Sequence, residues 1–227
     1  MEWKKMIIVA LAVVVLMVIG VLFNPKADNI KFKEEYERLN GKKSESGTYL
    51  KVKIDKDNPM IYANIEDVQK LLENGTGVIY FGFPECPWCR NMVPNLIESA
   101  KENEIDKIYY YNAYDDRDIL ILDENNNIVT RKEKSKNYEI ILELLQEHLE
   151  DYVLTNGEEE VSTGEKRLYF PTVVFVKDGN ITLVHVSTVE SQTDPSVPLT
   201  KDQSLELKNI FKEGFSSLSD TCQKDRC

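Results

Sequence analysis

The chain has 227 residues, 42% of them apolar, which is enough for one good-sized globular domain with additional elements. This composition excludes a chain that is disordered throughout. The 28 basic and 39 acidic side chains give a net charge of −11, and no cluster of lysines and arginines is interleaved with aromatic residues, so we expect no nucleic-acid partner.

The first 25 residues contain a long apolar segment. It runs without interruption from Met6 to Phe23 and follows Lys4 and Lys5. As a helix it would reach about 27 Å, close to the thickness of a bilayer core, and it is longer than the ~7–15 residues of a cleaved signal core. We predict a retained transmembrane anchor over 1–25, with a cleaved signal as the alternative. The preceding lysines favour a single-pass protein of the cell membrane whose C-terminal part is extracytoplasmic.

Residues 26–48 are charged and predict a short helix and a polar loop, which we interpret as a spacer leading off the membrane. The main domain is expected over 49–218, beginning with an alternating strand pattern at 48–54. Asn64 is placed to cap an amphipathic helix. The apolar run at 77–83 indicates a strand that is buried on both faces.

The remaining pattern alternates helices and strands. In chain order it predicts a helix over 90–106, a strand over 107–113, a hairpin over 117–131, the longest amphipathic helix over 137–154, an acidic loop over 155–166, a hairpin over 167–188 and a last helix over 201–217. Pro94 is expected to kink the first of these helices. The tail at 219–227 is too polar to add to the core.

The four cysteines form two close pairs, Cys86 with Cys89 and Cys222 with Cys227. An even, paired count behind a signal-like segment is typical of an oxidising, extracytoplasmic compartment. For the tail pair we predict a small local disulfide. The alternatives are electron exchange with the first pair, an intermolecular link, or no role.

The first pair lies where a buried strand turns into a helix. Cys86 is predicted at or beside the helix N-cap, where unpaired backbone N–H groups and the helix dipole stabilise a thiolate. The thiolate is the attacking species in thiol–disulfide exchange, so Cys86 is the expected nucleophile. Cys89, one turn further in, is the expected resolving cysteine.

The sequence contains four features in a fixed order. They are a strand, the C-P-W-C sequence at 86–89, a helix with Pro94 five residues after the second cysteine, and F-P-T at 170–172 before a hairpin. Over residues 60–217 the chain resembles the thioredoxin superfamily. The resemblance implies an α/β fold in three layers, in which a mixed central sheet is flanked by helices. The chain between the cysteines and residue 171 is longer than in a minimal thioredoxin, so we expect an insertion there.

The same resemblance implies roles for several residues. Pro171 is expected to be a cis-proline lying against the cysteines, and Phe170 to offer backbone groups that pair with substrate as an added strand. From its own position in the exposed turn between the cysteines, Trp88 is expected at the rim of the site, where it either contacts substrate or shields the sulfur.

Three residues depart from the typical thioredoxin pattern and are expected to modulate the site. Tyr80 occupies the position, six before the first cysteine, where a typical thioredoxin has a buried acid. The usual proton acceptor is therefore replaced by the Tyr80 hydroxyl, water or Glu85. Glu85 also opposes the neighbouring thiolate by charge repulsion. Pro87 begins a Pro-Trp dipeptide that differs from the Gly-Pro of typical thioredoxins, so the direction of electron transfer does not carry over.

Within the superfamily, the anchor and residues 80–94 look most like the bacteriocin transport accessory branch of small bacterial thioredoxin-like proteins. That similarity implies an envelope-facing bacterial protein that helps secreted peptides form or rearrange disulfides.

We therefore predict a membrane-anchored thiol–disulfide oxidoreductase that acts on protein or peptide thiols and disulfides, uses no cofactor or metal ion, and exchanges electrons with a membrane electron-transfer protein. One alternative is a peptide-binding or transport-accessory module with little or no redox turnover. Another is a structural protein held by zinc, with Cys222 and Cys227 completing the ligand set.

Overall fold

The structure, a computed structural model, describes residues 27–44, 47–157 and 159–219. The predicted anchor and the tail cysteines Cys222 and Cys227 lie outside these residues. Among the helices that the structure describes, none combines the length and the apolar character needed to cross a bilayer.

Helices and strands alternate along most of the described chain. In chain order they are α1 (Asp28–Glu37), β1 (Lys43–Ser44), β2 (Gly47–Thr48), β3 (Met60–Tyr62), α2 (Ile65–Asn74), β4 (Gly77–Phe81), α3 (Pro87–Glu102), β5 (Ile108–Tyr111), β6 (Ile119–Leu122), β7 (Ile128–Lys132), α4 (Lys136–Leu145), β8 (Glu150–Asn156), β9 (Glu159–Arg167), β10 (Thr172–Lys177), β11 (Asn180–Val186) and α5 (Lys201–Ser217).

Five strands form a mixed central sheet in the order β11-β10-β4-β5-β3. β3 and β4 pair in parallel with β5, whereas β10 runs antiparallel to both β4 and β11. The central strand β4 sends Val78 and Tyr80 into one hydrophobic cluster and Ile79 and Phe81 into another, and all four side chains are fully buried. The prediction of a strand buried on both faces is therefore confirmed.

Helices cover both faces of this sheet. Buried side chains of α1, α3 and α5 pack with Val78 and Tyr80, whereas those of α2 and α4 pack with Ile79 and Phe81. The result is a three-layer α/β arrangement, which is compatible with a thioredoxin-like fold. The last helix spans the predicted residues, and Asn64 caps α2 as expected, accepting a hydrogen bond from the Asp67 backbone N–H.

The prediction that residues 26–48 form a spacer outside the domain is wrong for the part that forms α1. Phe32 and Tyr36, four residues apart and therefore on one face of the helix, are fully buried in the core cluster of α3 and α5. The Asp28 carboxylate also accepts a hydrogen bond of 3.0 Å from the backbone N–H of Tyr62 in β3. The N-terminal helix is thus part of the domain.

The alternating pattern at 48–54 has the predicted burial but not the predicted pairing. Val52 and Ile54 are buried, yet their segment belongs to no sheet. Their backbone N–H groups donate to side chains that follow or end α1: Val52 to Asn40 Oδ1 at 2.9 Å, and Ile54 to Glu37 Oε1 at 2.8 Å. Side-chain oxygens thus take the place of a partner strand.

The prediction of a helix over 137–154 is wrong for its second half. α4 ends at Leu145, and after a short 3-10 turn the chain enters β8. Leu149 and Tyr152 are both buried, and their separation of three residues also fits a helix, so the apolar pattern does not separate the two structures.

The prediction of an acidic loop over 155–166 is also wrong, because most of this segment forms β9, which pairs antiparallel with β8. A buried ion pair between Arg167, at the end of β9, and Asp118, just before β6, ties this hairpin to the hairpin β6–β7. The predicted hairpins over 117–131 and 167–188 are present. Two hairpins, β6–β7 and β8–β9, therefore lie between β5 and β10, in the part of the chain where an insertion was expected. α3 continues without a break through Pro94.

If α1 is part of the domain, Phe32→Ala should strongly destabilise it. Loss of this fully buried ring should lower the free energy of unfolding by about 3–5 kcal/mol, measured by urea denaturation. Leu205→Ala is the control, because Leu205 is 57% exposed on α5 and its truncation should change the free energy by less than about 0.5 kcal/mol. Equal effects of the two substitutions would contradict the packing of α1.

Candidate active site at the Cys86–Cys89 turn

The two cysteines lie where β4 leads into α3. Cys86 is the N-cap of α3, and its Sγ accepts a hydrogen bond of 3.1 Å from the backbone N–H of Cys89. Pro87 occupies the first turn, where its missing N–H is not needed. The predicted N-cap position is confirmed, and it directs the Cys86 sulfur at the helix N-terminus.

Both cysteines are free thiols, but their surroundings differ. Cys86 is 4% exposed, whereas Cys89 is completely buried. Burial, followed by the hydrogen bond and charge of Cys86, raises the pKa of Cys89 well above its usual range. Cys89 is therefore held as a neutral thiol behind Cys86, which is the arrangement expected of a resolving cysteine.

The segment at Phe170 and Pro171, distant in sequence, contacts the cysteine turn. The Phe170–Pro171 peptide bond is cis, and the Cys86 Sγ lies 3.8 Å from the Phe170 carbonyl oxygen. Pro171 is buried, and its carbonyl oxygen accepts a 2.8 Å hydrogen bond from the Ser187 N–H, which follows β11. The structure thus brings together the sequence motifs that carry the resemblance.

The remaining predicted residues of the turn lie at its surface. Glu85 and Pro87 are exposed. Trp88 is half-buried and packs against the core cluster on the α3 side of the sheet. The rim position predicted for Trp88 is consistent with this partial exposure.

Tyr80 lies beneath the site, as predicted, but it does not act as a buried base. Its hydroxyl is 2.8 Å from that of Tyr36, and its ring stacks on Tyr110 with the ring centres 5.6 Å apart. Burial, and then the neighbouring Cys89, raise the pKa of Tyr80 well above its usual range. For Cys89, whose pKa is raised by burial, a hydrogen bond from Tyr80 has the opposite effect and lowers the pKa. The raised pKa of Tyr80 therefore keeps its hydroxyl protonated.

No buried carboxylate lies in this part of the molecule. Across residues 27–44, 47–157 and 159–219 the only buried acidic side chain is Asp118, which is paired with Arg167 in the insertion. The same residues contain no group of three or more His, Cys, Asp or Glu side chains arranged to hold a metal ion.

The sequence analysis missed Arg90, the residue directly after Cys89. Its side chain is 1% exposed and donates to the carbonyl oxygens of Leu50 at 2.7 Å, Tyr36 at 3.0 Å and Pro84 at 3.0 Å, and to the Oδ1 of Asn40 at 2.7 Å. Burial lowers the pKa of Arg90. An arginine beside a cysteine motif was a visible signal, but its partners are distant in sequence.

The sequence analysis also missed a group of aromatic side chains beside Cys86. Phe83 packs against Tyr114 with ring centres 4.4 Å apart and against Phe170 at 5.5 Å, and the Arg117 guanidinium lies over all three rings. Two of these residues come from the loop between β5 and β6, which only the fold brings to the cysteines.

Comparison of the sequence with known protein families and with curated proteins finds no match in either case.

The Tyr36–Tyr80 hydrogen bond can be tested by a double-mutant cycle. Tyr80→Phe should lower the free energy of unfolding by about 1–3 kcal/mol, because it leaves the buried Tyr36 hydroxyl without its partner. Tyr36→Phe should have a similar effect for the same reason. The double variant should be more stable than the sum of the two effects implies. Additive effects in urea denaturation would show that the two hydroxyls do not interact.

The pKa of Cys89 can be measured in a Cys86→Ser protein by carbon-13 NMR of labelled cysteine, with Cys222 and Cys227 replaced by serine. In the folded protein Cys89 should remain a thiol well above about pH 8.5, where an unperturbed cysteine ionises, because burial is the main cause of its raised pKa. The same protein unfolded in urea is the control and should titrate near that value. Since the folded pKa is the higher one, this protein should lose stability as the pH rises above about 8.5.

Proposed function

We propose that this chain is a thioredoxin-like thiol–disulfide oxidoreductase that exchanges electrons with cysteines of proteins or peptides through Cys86 and Cys89. One observation carries the proposal. The Cys86 sulfur lies at the N-terminus of a 16-residue helix, 3.1 Å from the Cys89 N–H and 3.8 Å from the Phe170 carbonyl oxygen. These distances support a nucleophilic role for Cys86, a resolving role for Cys89 and a substrate-binding edge at the Phe170 backbone.

In the reductive direction, the Cys86 thiolate attacks one sulfur of a substrate disulfide. A bond forms between Cys86 and that sulfur, and the second substrate sulfur leaves with the electron pair and takes up a proton. Cys89 then loses its proton and attacks Cys86. The Cys86–Cys89 disulfide forms, and the first substrate sulfur leaves as a thiolate. Substrate oxidation is the same sequence in reverse.

Deprotonation of Cys89 is the demanding step of this cycle. Its pKa is raised by burial, and no buried carboxylate among the described residues stands beneath it to take the proton. The Tyr80 hydroxyl stabilises the developing thiolate by donating a hydrogen bond, and the second substrate sulfur, which leaves as a thiolate in the first step, takes up the Cys89 proton. We therefore expect turnover that depends strongly on the pKa of the leaving thiol.

Substrate binding is proposed at Phe170 and Trp88. An extended peptide can pair with the Phe170 backbone as an added strand while its cysteine faces Cys86. Trp88, half-buried beside the cysteines, offers an aromatic surface at the rim.

We further propose that the domain is tethered to the cell membrane by the apolar segment at 6–23 and faces away from the cytoplasm. The support is the length of that segment, the lysines before it and the paired cysteines. A membrane electron-transfer protein would be the natural redox partner there. Assistance to secreted peptides, as in the bacteriocin transport accessory branch, is the narrower role that the resemblance suggests.

The redox role is tested by equilibrating the full chain in detergent with graded glutathione buffers and counting free thiols by mass after alkylation. The Cys222→Ser/Cys227→Ser variant is the matched control that isolates the first pair. We expect a Cys86–Cys89 disulfide. A potential near about −270 mV would identify a reductant and one near about −120 mV a disulfide donor. Absence of this disulfide in every buffer would overturn the proposal.

The peptide-binding alternative is favoured by one feature, the fully buried Cys89 with its raised pKa, which slows the second step. A Cys86→Ser/Cys89→Ser variant separates the two functions. A binding module keeps its cellular role without the cysteines, whereas an oxidoreductase loses it.

A further inference from the structure

The loop between β5 and β6 places an arginine over three aromatic rings. The Arg117 guanidinium carbon lies 4.7 Å from the ring centre of Tyr114, 5.5 Å from that of Phe170 and 5.9 Å from that of Phe83. We call these three rings the aromatic shelf. Phe83 joins the other two, with ring centres 4.4 Å from Tyr114 and 5.5 Å from Phe170.

The aromatic shelf is continuous with the reactive sulfur. The Phe83 carbonyl oxygen accepts a 3.3 Å hydrogen bond from the Cys86 backbone N–H, and the Phe170 carbonyl oxygen lies 3.8 Å from the Cys86 Sγ. Tyr114 is 44% exposed, and Phe83, Phe170 and Arg117 are partly exposed. A peptide whose cysteine reaches Cys86 therefore passes over or beside these rings.

Apart from these rings, the Arg117 guanidinium has no hydrogen-bond or ion-pair partner among residues 27–44, 47–157 and 159–219. Its backbone N–H donates to the Ala113 carbonyl oxygen at 3.2 Å, but its side chain forms no hydrogen bond or ion pair with those residues. The two buried arginines differ in this respect, since Arg90 donates to four oxygens and Arg167 pairs with Asp118.

The carboxylates of Asp115, Asp116 and Glu85 form no ion pair with the Arg117 guanidinium. Asp116 accepts a 2.7 Å hydrogen bond from the Tyr111 hydroxyl. Asp115 and Glu85 are exposed to solvent and form no ion pair with Arg117. The only positive charge on the aromatic shelf is thus available to a ligand.

The geometry suits one kind of ligand group. A guanidinium over ring faces is held in position by attraction to the π electrons, which lowers the entropy lost when it binds. Stacking uses the faces of the guanidinium and leaves the N–H groups at its edge free. Those N–H groups match the two oxygens of a carboxylate in a bidentate pair.

We infer that Arg117 and the aromatic shelf form a substrate subsite that selects peptides with an aspartate or glutamate a few residues from the reactive cysteine. The inference rests on the proposed function and names its substrate class. In this subsite Arg117 pairs with the acidic side chain, and the aromatic shelf contacts the neighbouring apolar part of the peptide.

The net charge of −11 opposes an acidic substrate at long range. At physiological salt, however, interactions between exposed charges are screened beyond about 8 Å, whereas a direct carboxylate–guanidinium contact is much shorter. The selection therefore acts on the acidic residue that touches Arg117 and not on the total charge of the peptide.

The test uses three disulfide-bonded peptides that differ at one position near the cysteine, carrying glutamate, glutamine or lysine. Pre-reduced full chain in detergent reduces each peptide in a single turnover, and mass spectrometry gives the second-order rate constants. Wild type should prefer the glutamate peptide over the glutamine peptide by about three- to tenfold at low salt, and less at high salt. The preferred spacing is found by moving the glutamate one position at a time.

Arg117→Gln should abolish this preference, so that the glutamate and glutamine peptides are reduced at equal rates. Arg131→Gln is the matched control, because Arg131 is exposed on β7, away from the cysteines in the chain; it should keep the full preference. Arg117→Lys should retain a smaller preference, since lysine keeps the charge but lacks the planar fork.

The outcomes separate this inference from the proposed function. If wild type reduces all three peptides at equal rates for every spacing, the subsite is refuted and the oxidoreductase stands. If Arg117→Gln slows all three peptides equally, Arg117 only supports the aromatic shelf, and the subsite is again refuted. If no peptide is reduced by wild type, the proposed function fails and the inference fails with it.

Discussion

The candidate site depends on the hydrogen bonds that the buried guanidinium of Arg90 donates. Arg90 follows Cys89 on α3 and binds oxygens from α1, from the chain after β2 and from the turn before the cysteines. A buried charge without a carboxylate partner is tolerated only when its N–H groups are bound by other oxygens, and four such bonds meet that need. Moving any of these segments would leave the charge unsatisfied, so the cysteine turn and the N-terminal part of the domain are held together.

That connection explains why α1 belongs to the site. Its Tyr36 binds Arg90 through the main-chain oxygen and Tyr80 through the side-chain hydroxyl. Tyr80 in turn lies beside Cys89 and lowers its pKa against the larger effect of burial. The N-terminal helix therefore supports Cys89 from below, while the Phe170 backbone and the aromatic shelf lie on the Cys86 side. The support comes from the neutral hydroxyls of Tyr36 and Tyr80 and from the hydrogen bonds of the charged Arg90 guanidinium, and no buried carboxylate among the described residues takes part.

Much of the fold was predictable from local pattern. The run at 77–83, the Asn64 cap and the hairpin turn at 177–180 depend on residues close together in the chain, and each appears where predicted. Predictions failed where contacts outside a segment decide its structure. The helix predicted to 154 ends early, and the loop predicted over 155–166 becomes a strand, because these two segments pair as β8 and β9. The predicted spacer contains α1 because its two buried aromatic residues pack into the core.

The sequence alone determined where the two cysteines of the candidate site lie in the fold. Two cysteines two residues apart, between a buried strand and a helix, place Cys86 at the N-cap whatever the rest of the chain does, because the helix terminus and its unpaired N–H groups are local features. Only the tertiary structure decided what surrounds them. Phe170, Tyr36 and Arg117 come from segments distant from the cysteines in the chain, as do three of the four oxygens that bind Arg90. Their positions follow from how the helices and the loop after β5 close over the sheet. Burial and hydrogen-bond partners are properties of that closed arrangement, so no local pattern contains them.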